Sequence, residues 1–171
     1  MWVETRRAEL QGGFVIRIGI TGHRGLTPGL DSAIATMIAA HLAPRGCDFV
    51  GLSCLADGAD TVFAEAVLAA GAPLEAVIPA AGYREGLPEE HHPTYDRLLA
   101  RAVMVHRLPH QASTSDAHMA AGRHLVDHCD QLVAVWDGEP ARGPGGTADV
   151  VAYARSLSLP VRVLWPQGAR R

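Results

Sequence analysis

Three glycine-bearing stretches of the sequence each follow an apolar run and precede a run with helical periodicity. They span residues 21–24 (Thr-Gly-His-Arg), 53–60 and 136–150. Glycine lets backbone N–H groups approach a phosphate, and the N-terminus of a helix favours an anion. In the first stretch, His23 and Arg24 add side-chain donors and positive charge. The spacing Gly19-x-x-Gly22-x-x-Gly25 is not the usual dinucleotide fingerprint, so a tight turn with solvated polar residues is the alternative.

The second stretch contains Gly58 at a helix start, between Asp57 and Asp60. Asp57 is suited to capping this helix, and Asp60 complements the helix dipole. The alternative is that one of the two carboxylates binds a ribose hydroxyl. The third stretch contains Gly145-Gly146-Thr147, in which Thr147 is a candidate N-cap and the successive amides form an anion-binding nest.

The elements that must position these stretches alternate regularly along the chain. Strands are predicted at residues 14–21, 49–53, 74–78, 103–108, 131–136 and 161–164, and helices at 30–42, 59–70, 116–129 and 147–157. Continuous apolar strands in this alternation predict an α/β fold: a doubly wound, mainly parallel six-stranded Rossmann-like sheet with helices on both faces. Ligands bind such sheets beyond the carboxyl ends of the strands. We therefore expect the three glycine-bearing stretches to meet in one site.

The chain of 171 residues is long enough for one domain, predicted over residues 14–166. Residues 1–13 are predicted to be a polar lead and residues 167–171 a tail. Residues 79–94 contain three prolines, two glycines and a histidine pair, and they interrupt the alternation. Long irregular segments of this kind are often lids or binding loops, so a loop or lid insertion is predicted there.

Composition narrows the expected partners. The net charge of −3 gives no electrostatic footprint for nucleic acid, so no nucleic-acid partner is expected. The N-terminus does not resemble a signal peptide and no run approaches 18 apolar residues, which predicts a cytoplasmic protein without a membrane span. Three cysteines without CxxC spacing argue against a disulfide framework and a zinc knuckle, and neither a metal nor a cofactor is expected.

The helix predicted at residues 116–129 has Ser115 as its expected N-cap. Its predicted core face consists of His118, Ala121, Gly122, Leu125, Val126 and Cys129. Arg123 lies beside that face. The pair His124 and His128 could bind a metal, but no Glu follows His124 as in the HExxH motif, so a solvated helix face is favoured.

The segments GITGHR, ADGADTVFAEAVLAAG and CDQLVAVWDG…GPGGTADVVAYAR together resemble the SLOG superfamily. This group is related to the LOG "lysine decarboxylase-like" proteins and to the DNA-processing protein A fold, and the resemblance covers about residues 15–165. It implies a Rossmann-like domain that binds nucleotides or nucleotide-derived ligands such as ADP-ribose. The ligand-binding residues expected on this basis are Thr21, Gly22, His23, Arg24, Ser53, Asp57, Gly58, Ala59, Asp60, Pro79, Asp137, Gly138, Gly145, Gly146 and Thr147.

The resemblance to LOG enzymes also implies where catalysis would be sought. In those enzymes an Arg on the helix before the fifth strand, and a Glu three residues after the Thr of PGGxGTxxE, serve phosphoribohydrolysis. Arg123 matches the Arg by position, but the run Pro144-Gly145-Gly146-Thr147 lacks two residues and Val150 stands where the Glu would be.

A carboxylate is needed in that reaction to manage charge and protons at the ribose. Asp149 lies one residue too early and is predicted to face solvent. Asp137, Glu139 and Asp57 are the other candidates, and the sequence does not select among them.

Three functions are consistent with these features. The first is binding or sensing of a nucleotide-derived ligand, such as ADP-ribose or a nucleoside monophosphate, at the carboxyl edge of the sheet. The second is a nucleotide N-glycosidase related to LOG enzymes, and the third is a non-catalytic interaction module whose glycines serve only turns and packing. A homo-oligomer or a separate effector protein is the expected macromolecular partner.

Overall fold

The computed structural model describes residues 15–170, so the predicted lead at residues 1–13 and the first residue of the predicted first strand lie outside it. The described residues form six strands and five α-helices. The strands are β1 (Ile16–Gly22), β2 (Phe49–Ser53), β3 (Leu74–Ile78), β4 (Met104–Arg107), β5 (Gln131–Val135) and β6 (Val161–Leu164). The helices are α1 (Pro28–Leu42), α2 (Ala59–Ala69), α3 (His92–Arg101), α4 (Ser115–Asp127) and α5 (Thr147–Ser156).

All six strands are parallel and lie in the order β4-β3-β2-β1-β5-β6. The chain runs outward from β1 to β4, then returns through α4 to β5 on the other side of β1. The strand order therefore reverses between β1 and β5, and that crevice is where such sheets bind ligands. The predicted doubly wound Rossmann-like fold is confirmed.

Hydrophobic residues cover the sheet on both faces, because a fully buried parallel strand must be apolar on both sides. One core contains Ile34 and Ile38 of α1, Phe63 and Val67 of α2, and Leu98 of α3. The second core packs Leu125 and Val126 of α4 and Val150 and Ala154 of α5 against the opposite face.

Two strand glycines allow the helices to lie close to the sheet. A Cβ atom at Gly19 would lie 2.1 Å from Cδ2 of Leu125, and one at Gly51 would lie 2.4 Å from Cγ2 of Val67. These distances are far below van der Waals contact. Both glycines are therefore required by helix–sheet packing.

The segment predicted as a loop, residues 79–94, is largely structured. It forms two short 3-10 helices, Arg84–Gly86 and Glu89–His91, and then enters α3, which the sequence analysis did not predict. Pro93 occupies the first turn of α3, where the missing N–H costs no hydrogen bond. Tyr83 and Leu87 are buried in the first core, so this segment is packed onto the domain.

The N-cap of α4 is Thr114 and not the predicted Ser115. The Thr114 side chain accepts a hydrogen bond from the Ala117 N–H at 3.2 Å, and Ser115 is already the first helical residue. Both residues are good caps by type, and only the backbone conformation selects between them. Over residues 15–170, no helix combines the length and the apolar character needed to cross a membrane.

Candidate functional site

A cavity of about 380 Å³ lies at the carboxyl ends of β1 and β5, within the size range of small-molecule sites. The three glycine-bearing stretches contribute to its wall. Of the predicted ligand-binding residues, its lining includes Thr21, Gly22, His23, Arg24, Asp60, Pro79, Gly145, Gly146 and Thr147. The remaining predicted residues are not part of the lining: Ser53, Asp57, Gly58, Ala59, Asp137 and Gly138.

The loop after β1 is fixed to both neighbouring loops. The His23 N–H donates to the Val135 carbonyl at 3.1 Å, and the His23 carbonyl accepts from the Ala59 N–H at 3.1 Å. A Cβ atom at Gly22 would lie 2.4 Å from Cβ of Ala59, so only glycine permits this close approach. The His23 side chain is buried, with Nε2 3.0 Å from Oδ1 of Asp137 and its ring edge-on to Trp165. His23 therefore joins the β1 loop to the loop after β5, and Asp137 acts as its partner.

Arg24 forms the second link. Its Nη2 lies 2.6 Å from Oδ1 of Asp57, and its Nε donates to the same oxygen at 2.7 Å. The other carboxylate oxygen of Asp57 accepts from the Gly25 N–H at 3.2 Å. The expectation that Asp57 caps α2 is wrong, because its carboxylate is used by the β1 loop. The Arg24 side chain is 44% exposed, so its guanidinium is accessible from the cavity while Asp57 orients it.

The N-cap of α2 is Gly58, with a φ of +89° and no side-chain cap. A Cβ atom there would lie 2.5 Å from the His23 carbonyl oxygen, so the close approach of the two loops requires glycine as well. Asp60, in the first turn of α2, is 8% exposed and lines the cavity. The pKa of its carboxyl group is raised to about 7, chiefly by burial. The charge of Asp57 also raises this pKa, whereas the Ala56 N–H and the charge of Arg24 lower it.

Ser53 supports a strained turn beside the cavity and is not part of its surface. Leu55 has a φ of +60°, a conformation that costs a branched residue about 1–2 kcal/mol. The Ser53 hydroxyl accepts from the Leu55 N–H at 3.0 Å and donates to the Asp60 carbonyl at 3.1 Å. His91 Nε2 donates to the Leu55 carbonyl at 3.0 Å. A strained backbone conformation persists only where several surrounding contacts hold it, as these hydrogen bonds do, and such conformations are typical of functional turns.

The third stretch, residues 136–150, contributes a further part of the cavity wall. Gly145 has a φ of +79°, and its N–H donates to Oδ2 of Asp149 at 2.8 Å. Asp149 therefore faces back onto its own loop, and the prediction that it faces solvent is wrong. The N-cap of α5 is Gly146, so Thr147 is the first helical residue and not the cap. Arg142 is exposed and lies in the lining, so it adds a second guanidinium to the cavity besides that of Arg24.

The residues implied by the LOG resemblance do not assemble a catalytic pair. Arg123 is exposed on α4, with its guanidinium carbon 5.4 Å from the centre of the Tyr153 ring, and it is not part of the cavity lining. Val150, at the position of the Glu, is 4% exposed and lines the cavity with an apolar side chain. Glu139 is in the lining, whereas Asp137 is bound to His23.

Three aromatic residues of the lining, Tyr83, His118 and Trp136, were not predicted as site residues. The centres of the Tyr83 and His118 rings lie 5.9 Å apart, and Ser113 Oγ lies 2.8 Å from Nε2 of His118. Burial raises the pKa of Tyr83 well above its usual value and lowers that of His118, whose pKa Arg24 lowers further. The sequence feature that could have identified His118 as a site residue is its position near the start of a helix at the carboxyl edge of the sheet. Tyr83 lies in the segment interpreted only as a loop.

The pair His124 and His128 is not the solvated helix face that was favoured. The two rings stack with centres 4.0 Å apart, and the His106 ring lies 5.0 Å from that of His124. Nε2 of His124 is buried and has no hydrogen-bond partner within the described part of the chain. Burial and the two neighbouring imidazoles lower the pKa of His124 to about 4. Over residues 15–170, no group of three or more His, Cys, Asp or Glu side chains is arranged to hold a metal ion.

Comparisons with known proteins were made on the sequence and on the fold. No protein-family model and no curated protein matches the sequence. DNA processing protein A from Streptococcus pneumoniae matches the structure with a TM-score of 0.66 and 18% identity, over 90% of this chain and 51% of that protein. DNA processing protein A from Helicobacter pylori, described for its single-stranded DNA binding mode, matches with a TM-score of 0.67 and 17% identity, over 91% of this chain and 68% of that protein.

A third similar structure is the molybdenum cofactor binding protein from Rippkaea orientalis, with a TM-score of 0.58 and 17% identity. The match covers 86% of this chain and 75% of that protein. The present chain thus spans about half of the Streptococcus protein and three quarters of the Rippkaea protein.

The comparisons correct one expectation. A net charge of −3 was taken to exclude a nucleic-acid partner, but the Helicobacter protein, which shares this fold, binds single-stranded DNA. That exclusion is contradicted, because a local basic surface can bind DNA whatever the sign of the whole chain. At the level of the fold, the resemblance drawn from the sequence is confirmed: the chain has the Rossmann-like fold that is also found in DNA processing protein A and in the molybdenum cofactor binding protein.

Proposed function

We propose that the cavity between β1 and β5 binds a nucleotide or nucleotide-derived ligand of the ADP-ribose or nucleoside monophosphate type. The observation that carries the proposal is the convergence of all three glycine-bearing stretches on one cavity of about 380 Å³. Gly146, the N-cap of α5, and Thr147, its first residue, line the cavity, so the N-terminus of α5 lies at the cavity wall. Backbone N–H groups and a helix N-terminus are the groups that bind phosphate.

Charge supports the same ligand class. Arg24 and Arg142 both line the cavity, and guanidinium groups bind phosphate in a bidentate manner. A molybdenum cofactor binding protein shares this fold, which supports the binding of a small ligand by a domain of this kind. The predicted cytoplasmic location and the predicted oligomer or effector partner stay predictions.

The proposal is tested by the melting temperature of the protein with ADP-ribose, AMP and other nucleoside monophosphates. A ligand present at 100 times its dissociation constant adds about 2.7 kcal/mol to the free energy of unfolding. We expect such a shift in the wild type, and its loss in Arg24→Ala. The matched control is Arg97→Ala, which removes an exposed arginine that pairs with Glu65 on the surface of α2 and α3, outside the cavity lining.

Absence of a shift with every nucleotide would contradict the proposal and favour a non-catalytic interaction module. An equal shift in wild type and Arg24→Ala would mean that the ligand binds elsewhere. Release of free base from AMP or another nucleoside monophosphate would instead establish the N-glycosidase alternative, for which the positions of Arg123 and Val150 give little support.

A further inference from the structure

Asp60 is a buried carboxyl group in the cavity wall without a cation of its own. It is 8% exposed, and within residues 15–170 no basic side chain forms an ion pair with it. Its Oδ2 accepts a long hydrogen bond, 3.4 Å, from the Ala56 N–H. Burying a carboxylate under these conditions is costly, and such a group takes up a proton instead.

The guanidinium that acts on Asp60 is shared with another carboxylate. Arg24 lies 2.6 Å from Oδ1 of Asp57, and its charge lowers the pKa of Asp60 by less than burial raises it. Asp57 places a second negative charge near Asp60, which disfavours ionisation further. With a pKa of about 7, the Asp60 carboxyl is mainly protonated below neutral pH.

The other titratable groups around Asp60 lie on the neighbouring loops and on α4. They are His23 and Arg24 of the β1 loop, Cys54 and Asp57 of the β2 loop, Tyr83, and His118 of α4. Burial raises the pKa values of Cys54 and Tyr83, so the thiol and the phenol stay protonated. Burial lowers the pKa of His118, so its imidazole stays neutral near pH 7.

We infer that Asp60 contacts the bound nucleotide as a neutral carboxylic acid and donates its proton in a hydrogen bond to an acceptor atom of the ligand. The inference rests on the proposed function, because it places the nucleotide in this cavity. A protonated carboxyl is a donor, whereas a carboxylate only accepts. The ionised form could not donate a hydrogen bond to the phosphate, carbonyl or ring-nitrogen acceptors of the ligand. Its negative charge would also repel an anionic ligand. Asp60 is thus a specificity-determining residue that couples affinity to pH.

The experiment is a calorimetric titration with ADP-ribose at pH 6, 7, 8 and 9. ADP-ribose suits the test because both phosphates of its pyrophosphate bridge are substituted on two sides. They therefore lack the second ionisation near pH 6 that a phosphate monoester shows. In the wild type we expect the dissociation constant to rise about 100-fold from pH 6 to pH 9, since each pH unit above neutrality removes about nine tenths of the acid form. Asp60→Asn keeps a donor that does not titrate, so its dissociation constant should change less than about threefold. Asp48→Asn, exposed at the opposite edge of the sheet, should follow the wild type.

The same rise in wild type and Asp60→Asn would overturn the inference and leave the proposed function standing. Failure of ADP-ribose and AMP to bind the wild type at pH 6 would contradict the proposed function. The state of Asp60 is measured independently by the carboxyl ¹³C shift of the ligand-free wild type. A titration midpoint near 7 is expected there, and a midpoint below 5 would overturn the inference whatever binds.

Discussion

The buried carboxyl of Asp60 predicts a pH dependence of stability that can be measured without any ligand. Its pKa is about 7 in the folded protein and 3.8 as the ordinary value, which we take for the unfolded chain. A raised folded pKa means that the folded state holds the proton more tightly than the unfolded state does. The stability from this group is therefore complete below pH 3.8 and is lost as the pH rises to about 7.

Proton linkage sets the size of the effect. The loss amounts to about 2 kcal/mol at pH 5.5 and about 4 kcal/mol at pH 8.5, so about 2 kcal/mol disappears between these two values. Asp60→Asn does not titrate, and any change in its hydrogen bonds is independent of pH. We therefore expect the free energy of unfolding of Asp60→Asn, relative to wild type, to rise by about 2 kcal/mol between pH 5.5 and pH 8.5.

The assay is equilibrium urea denaturation of both proteins at the two pH values, with Asp48→Asn as an exposed control that should track the wild type. Comparing two variants cancels the titration of every other group, including the histidines. If wild type and Asp60→Asn keep a constant difference across this range, then the Asp60 carboxyl is ionised throughout. The reasoning from its burial and from the engagement of Arg24 by Asp57 would then be refuted.

Two further predictions concern stability alone. Gly145→Ala should lower the free energy of unfolding by about 1–3 kcal/mol, because the φ of Gly145 is +79° and the new Cβ would lie 2.7 Å from the Ser115 carbonyl oxygen. Gly143→Ala is its control, since no atom lies within 4 Å of the added Cβ, and equal losses in urea denaturation would contradict the packing argument. The second prediction concerns His124, whose pKa is lowered to about 4 in the folded protein. As the pH falls from 6.5 towards 4, the imidazole is protonated in the unfolded chain but not in the folded protein, so the folded protein loses stability. Relative to wild type, His124→Gln should gain about 1 kcal/mol between pH 7 and pH 4.5, after allowance for the partial exposure of the ring, and a flat difference would contradict it.

The sheet could be predicted from sequence because its signal is local. The bounds of β2, β3 and β6 agree with the predicted strands, since each is a short apolar run between turn residues. Helix α3 was missed because His92 and Pro93 read as part of a loop, and only contact with the first core shows that Tyr95 and Leu98 form a buried helix face. The formation of α3 depends on tertiary packing, which a local sequence pattern does not show.

The candidate site was likewise only partly predictable from the sequence. Chain order in a parallel sheet is enough to bring the three stretches to one edge, which is why most of the predicted lining is present. The direction of each side chain depends on loop geometry. Asp57 turns to Arg24, Asp149 turns to the Gly145 N–H, and Ser53 supports the turn at Leu55. A helical wheel or a capping rule cannot anticipate these partners, because each lies on another loop or in an irregular backbone.

These partners explain how the loops can serve binding. His23 with Asp137 joins the loops after β1 and β5, and Arg24 with Asp57 joins the loops after β1 and β2. Ordering flexible loops when a ligand binds lowers the affinity, because conformational entropy is lost. Loops that are already held together in the free protein avoid this loss. The polar residues that were expected to contact the ligand and do not line the cavity are in part those that hold the loops in place. The same links engage Arg24 with Asp57, and within residues 15–170 no basic side chain forms an ion pair with Asp60. The arrangement that orders the phosphate-suited loops therefore also leaves in the cavity wall a carboxyl group whose charge state changes near neutral pH.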